Sequence, residues 1–292
     1  MGRTGDVQDP EAVLTTAVEV TADHFGDRLL AAFAIGSLAH GGFCPLVSDV
    51  DLVIVVADPG DAHLIDASAD AIAETVRAEG GLAARLSLFW ASPSMLVDRE
   101  LGGRLPAVDR LDLAMHGRLL CGAFDLDSVA RPSTDELIIE SVRFAVDRLS
   151  LRSVIAELRD PAALVAEGPR HLTKRVLFPV RFLYTAATGD IGRNDAAVEW
   201  YAQSEGPAQE LVAAAGRWRT EPLDVSNAQK LVGQQILALY EHFLVEHIAT
   251  MERLGEPGLA THLQAWQTQL RGPVNNSRRG TDRRVPGRSR GR

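Results

Sequence analysis

The sequence predicts an α+β protein, a small mixed-sheet core followed by a C-terminal helical bundle. Three observations carry that prediction. Short apolar runs rich in strand-forming residues are confined to the first 130 residues. From Pro132 onward apolar residues recur at helical spacing, and no strand pattern competes. The segment 35–56, IGSLAHGGFCPLVSDVDLVIVV, ends in a run suited to a buried strand yet has Asp49 and Asp51 written into its leading end.

Each element follows from its own pattern. Pro10–Phe25 places Val13, Ala17, Val20 and Phe25 at helical steps. The run Leu29–Ile35, LLAAFAI, reads as a strand or as the end of a helix feeding into one. A helix over 61–79 carries Leu64, Ile65, Ala69, Ile72 and Val76 on one face, and Gly80-Gly81 ends it. Residues 82–90 and 115–120 alternate enough for two further strands. Phe89 is expected in the core, while Trp90 suits either the core or a stacking surface. Ser133-x-x-Glu136 fits a capping box, opening an apolar stripe that runs from Leu137 to about Arg159. Helices over 172–188, with Pro179 expected to kink it, and over 227–254 follow. The chain therefore divides into a sheet core at 1–130, a helical domain at 131–270 and a tail at 271–292.

Residues two apart on a strand share a face, so Asp49 and Asp51 project side by side. Two carboxylates that close repel unless a cation sits between them, and Mg²⁺, a hard cation held by one or two carboxylates and by phosphate oxygens, suits the pair. Upstream, the Gly36-Ser37 turn frees backbone amides and a hydroxyl for phosphate oxygens. A plainer reading stands beside this one: Asp49 ends a turn after Pro45, Asp51 pairs with a buried arginine, and Gly36-Ser37 is an ordinary loop.

Gly36, Ser37, the Gly41-Gly42 loop, Ser48, Asp49 and Asp51 together resemble the nucleotidyltransferase superfamily with a DNA polymerase β-like fold. In the second half, 116–122 and 177–203 look like the aminoglycoside adenylyltransferases that modify streptomycin and spectinomycin. Arg181, Thr188-Gly189, Asp195 and Trp200 fit that family, whereas Arg193-Asn194 stands where it has Ser-Lys. The resemblance implies a Mg²⁺-dependent transfer of AMP from ATP to a hydroxyl of an aminoglycoside-like small molecule, with release of pyrophosphate. It assigns Asp49 and Asp51 to metal and catalysis, and Gly36, Ser37, Ser48, Arg181 and Arg193 to the nucleotide, Arg193 supplying the charge of the absent lysine.

One expected part is missing. A third carboxylate belongs on the neighbouring strand, to complete the metal shell or take the acceptor's proton, and Ser87 stands there. Asp98, Glu100, Asp109 and Asp112 are the nearby acids that could replace it. The alternatives are a substrate needing no strong base, or a nucleotide-binding pseudoenzyme or regulator that turns nothing over. A protein-modifying adenylyltransferase is a further rival.

Composition sets the remaining bounds. No apolar stretch approaches the roughly 20 residues of a spanning helix, and the first residues lack a secretory pattern, so a cytoplasmic protein without membrane contact is expected. Cys44 and Cys121 lie in no metal-binding spacing and are expected as buried free thiols, and His40 as a bystander near the site. The net charge of −9 is uneven: from Arg271 onward stand eight arginines and one aspartate, leaving −16 on residues 1–270. That acidic body makes nucleic acid an unlikely substrate except through the basic tail, which is too poor in apolar residues to fold and is expected to be disordered.

Overall fold

The structure, a computed structural model, describes residues 9–58, 60–98 and 104–272. Helix α1 (Pro10–Phe25) leads through a short turn into β1 (Leu29–Ile35); α2 (Ser37–His40), β2 (Val50–Val56), α3 (Ala62–Arg77), β3 (Leu86–Ala91), α4 (Pro93–Asp98), α5 (Ala107–His116) and β4 (Arg118–Gly122) complete the first half. The strand order is β3-β2-β1-β4, with β2 and β3 parallel and the other neighbours antiparallel. A mixed sheet of this kind needs cover on both faces. Side-chain alternation divides it accordingly. Ala32, Leu52, Ile54 and Trp90 pack with α1 and α3, while Phe33, Ile35, Val53 and Ala91 pack with residues of α4 and α5.

The second half is helical throughout: α6 (Thr134–Leu149), α7 (Arg152–Leu158), α8 (Pro161–Ala166), α9 (Pro169–Thr188), α10 (Asn194–Ala202), α11 (Gln209–Arg217), α12 (Val225–Arg253) and α13 (Pro257–Arg271). One apolar cluster runs through it, centred on α9 and α12. Ala107 and Leu111 of α5 bury against Leu137 of α6 and Ile191, joining the halves. Polar bonds reinforce that seam: the Ala107 amide donates to Glu140 Oε2 at 2.6 Å, and Arg110 pairs with Glu136. The α+β architecture, small mixed sheet then helices, is as the sequence predicts.

Several local expectations need correction. The strand expected at 115–120 begins only at Arg118, because 107–116 forms α5, with Ala107, Leu111 and Leu113 buried at helical steps. The helix expected from Ser133 to about Arg159 breaks at Ser150-Leu151. The Ser133 hydroxyl does accept from the Glu136 amide as its cap, at 3.2 Å. Run Leu29–Ile35 is a strand. Pro179 lies inside an unbroken α9, buried. Trp90 is wholly buried and its Nε1 donates to Asp66 Oδ1 at 2.6 Å, which settles it as core, whereas Phe89 is only half-buried. Cys44 and Cys121 are free thiols, the first buried and the second only partly, since β4 is an edge strand. Among the described residues no helix is long and apolar enough to cross a membrane. The basic tail from 273 onward lies outside the described residues.

Candidate active site

A cleft opens where the ends of β1 and β2 meet α9 and the turn before α10, and its lining is polar and charged. β1 delivers Gly36 and Ser37 at its end, and β2 delivers Asp51 at its start. Because β1 and β2 are antiparallel with Ile35 opposite Asp51, the end of one strand and the start of the other come together. Gly36 adopts φ +66°, and a Cβ there would lie 2.6 Å from Asp51 Oδ2. Glycine is required on both counts. The Gly36 amide donates to Asp112 Oδ2 at 2.5 Å, so a buried acid of α5 secures the turn from behind.

Asp49 precedes the strand and faces α9. Its Oδ1 accepts from Arg170, with Nη2 at 2.5 Å and Nε at 3.1 Å, and its Oδ2 accepts from Lys174 Nζ at 2.5 Å. Asp51 is deeper: burial, with Asp49 beside it, raises its carboxyl to about 6, while a hydrogen bond from Ser87 and the Lys174 charge pull the other way. Parallel pairing sets Ser87 directly beside Asp51, in the register position expected of a third acid.

Helix α9 supplies the opposite wall. Lys174, Leu177 and Arg181, at steps of three and four, line the cleft from one face of the helix, and Arg170, four residues before Lys174, joins it on Asp49. Arg181 donates through Nε to the Gly192 carbonyl and lies over the Phe178 ring, 5.7 Å from its centroid. Burial lowers its guanidinium from the ordinary value, opposed by Asp109 and Asp51. Beyond it, Arg193 stands at the residue before α10 without a side-chain capping bond, and its Nε lies 3.6 Å from Asp195 Oδ1.

With this geometry in place, the chain can be set beside known proteins. It is similar to the spectinomycin adenyltransferase AAD(9) of Enterococcus faecialis, solved with ATP and spectinomycin. The identity is 16%, the TM-score 0.53, and the likeness spans 78% of this chain and 99% of that one. The chain has a nucleotidyltransferase fold. No protein-family model and no curated protein matches it.

On this nucleotidyltransferase fold the residues singled out from the sequence are brought together unevenly. Ser37, Ser48, Asp49, Asp51, Arg181 and Arg193 all line the cleft. Gly36 lies behind Asp51, and its amide is already engaged by Asp112. Ser48 is partly engaged as well, its Oγ accepting from the Cys44 amide at 2.9 Å to hold the loop. Of the acids considered as replacements at position 87, Asp98 is exposed at the end of α4, away from the cleft lining, and Glu100 lies outside the described residues. Asp109 and Asp112 share α5 behind the site. Burial, then Asp51 and Asp112, push the Asp109 carboxyl up to about 8, but neither α5 acid lines the cleft. His40, a bystander on sequence grounds, lines the cleft 5.9 Å from the His116 ring; burial lowers its imidazole, with Asp112 opposing.

Sequence reasoning missed Arg170, Lys174 and Arg219. A signal for the first two was present: basic residues at 170, 174 and 181 make a charged stripe on an otherwise apolar helix, and Lys174 is one of two lysines in the chain. Arg219 lies in the turn after α11, where no periodicity marks it.

Proposed function

We propose that the protein is a Mg²⁺-dependent adenylyltransferase that moves AMP from ATP to a hydroxyl of a small molecule and releases pyrophosphate. The observation that carries this reading is the convergence on one cleft of Ser37, the Asp49–Asp51 pair and the arginines Arg181 and Arg193. The likeness to an enzyme solved with ATP and spectinomycin supports a nucleotide and a small-molecule acceptor, and by itself favours the aminoglycoside class.

The donor set fits Mg²⁺. Two carboxylates supply hard oxygen ligands, and the Asp51 carboxyl, raised by burial and then by Asp49 beside it, is one that a divalent cation would stabilise in its charged form. Among the described residues no three His, Cys, Asp or Glu side chains gather for a metal, so phosphate oxygens and water would complete the shell. When bound, Mg²⁺ neutralises the triphosphate and polarises the phosphorus under attack. Asp49 and Asp51 would hold it. The Ser37 amide and hydroxyl would receive phosphate oxygens, while Gly36 leaves room for Asp51. Arg181, fixed by Gly192 and Phe178, would hold negative charge on the phosphates without having to reorganise during transfer. Ser87 cannot serve as a base near neutral pH, so its bond to Asp51 orients that carboxylate.

The test is transfer itself. With Mg²⁺, ATP labelled at the α-phosphate and a set of small-molecule acceptors, label should appear on an acceptor and vanish in Asp51→Asn. A second reading, an inert nucleotide-binding protein, draws on Ser87 in the third acid's register position. Tight Mg²⁺-ATP binding with no pyrophosphate released would establish it instead.

A further inference from the structure

We propose that the acceptor is an anionic hydroxyl compound, one bearing a phosphate or a carboxylate, and not a polycationic aminosugar; the inference rests on the transferase reading above. Its ground is the charge lining the cleft. Three carboxylates face that space, and two of them are committed. Asp49 is held by Arg170 and Lys174 and Asp51 takes the Ser87 hydroxyl beside Asp49, whereas Asp195, its side chain more than half exposed, lies 3.6 Å from Arg193. An ammonium group entering a partly desolvated cleft needs a carboxylate of its own, because a buried unpaired charge is strongly disfavoured. Neither Asp49 nor Asp51 is spare.

Cations, in contrast, are in excess. Lys174, Arg181, Arg193 and Arg219 line the cleft, and Arg170 joins them on Asp49. Arg181 and Arg193 are the pair assigned to the triphosphate. Arg170 and Lys174 hold Asp49 from the α9 side, so their charge adjoins the space where a metal and the acceptor would lie. Arg219 adds a more specific sign. Its Nη2 donates to the Gly42 carbonyl at 3.1 Å, but its Nε is buried and has no hydrogen-bond partner among the described residues. A buried guanidinium N–H without an acceptor is a donor prepared for a ligand, and the ligand that suits it is an oxyanion. His40, kept toward the neutral form by its burial, does not offset this balance.

The reaction keeps the ordinary bookkeeping of adenylyl transfer: the acceptor hydroxyl oxygen bonds to the α-phosphorus, the bond to the β-phosphate bridging oxygen breaks, the hydroxyl proton passes to solvent, and pyrophosphate leaves. Only the acceptor's charge is new. A small-molecule cell extract is separated by ion exchange into cationic, neutral and anionic pools. Each is incubated with the full-length protein, Mg²⁺ and ATP labelled at the α-phosphate, with spectinomycin and streptomycin as separate arms. Labelled product is expected in the anionic pool at least tenfold above every other arm. Arg219→Met should lower that labelling tenfold or more while changing the affinity for Mg²⁺ with α,β-methylene-ATP less than threefold. Label chiefly in the cationic or neutral pool, or on either antibiotic, overturns the proposal. So does an Arg219→Met protein whose analogue affinity falls as far as its labelling, since Arg219 would then serve the triphosphate. Analogue binding with no label in any arm overturns the transferase reading itself, and the acceptor proposal with it.

Discussion

Replacing Gly36 by alanine tests how closely Asp51 packs against the turn. The added Cβ would lie 2.6 Å from Asp51 Oδ2, against the 3.4 Å at which ordinary contact begins, so one of the two must retreat by about 0.8 Å. Asp51 is poorly placed to yield, since its backbone is paired with Ile35 on one side and Ser87 on the other. Gly36 is no freer, with its amide on Asp112 and φ and ψ of 66° and −151°, a region that side chains avoid. Holding alanine there costs about 1–3 kcal/mol in backbone strain, and misplacing a reacting group by about 1 Å costs roughly 10²-fold in rate. Gly36→Ala should therefore lower kcat/KM for pyrophosphate release about a hundredfold and lower Tm by at least about 2 °C. A variant within threefold of the parent rate and within about 1 °C of its Tm would refute both the contact and the role given to Asp51.

Three more outcomes are expected. Ser87→Asp places a carboxylate beside Asp51 in the third acid's register position and should raise the transfer rate about tenfold, part of the roughly 10²–10⁴ that a general base supplies; an unchanged rate would show that Ser87 does not mark the vacant position. His247 is buried on α12, with Nδ1 against the Phe243 carbonyl and His242 nearby, and burial lowers its imidazole from 6.5 to about 4. The unfolded chain takes up that proton first, so stability is full above about pH 6.5 and falls toward pH 4 by about 3 kcal/mol; a melting series in which His247→Gln loses no less stability over that window contradicts the assignment. Asp109 has the opposite sign. Raised from 3.8 to about 8, it stays protonated in the fold, and its contribution is lost as pH rises through that interval. Asp109→Asn should accordingly gain on the order of 1 kcal/mol or more in stability at pH 8 relative to pH 5, and equal effects at both would refute the raised value.

Much of the fold is legible along the chain because its signals are local. The strand-forming run at 50–56, the cap at Ser133 and the apolar spacing along 10–25 and 61–79 each act within a few residues, and the structure keeps all of them. Misreadings arose where local signals compete. At 107–120 an amphipathic helix and a short edge strand adjoin, and only packing against β1 and α6 decides where one stops and the other starts.

The sequence by itself determined the chemistry on offer: a Gly-Ser turn, two acids two residues apart, and a serine on the neighbouring strand where an acid was expected. Those are facts of spacing within single elements. Tertiary structure alone decided what faces them. Arg170 and Lys174 lie more than 120 residues from Asp49, Arg219 reaches the Gly42 loop across 177 residues, and Asp112 holds Gly36 across 76. Charge that arrives from such separations leaves no period in the sequence, because it is set by which helix face packs over the sheet's end. That packing is what sets a row of cations across the cleft from the two acids.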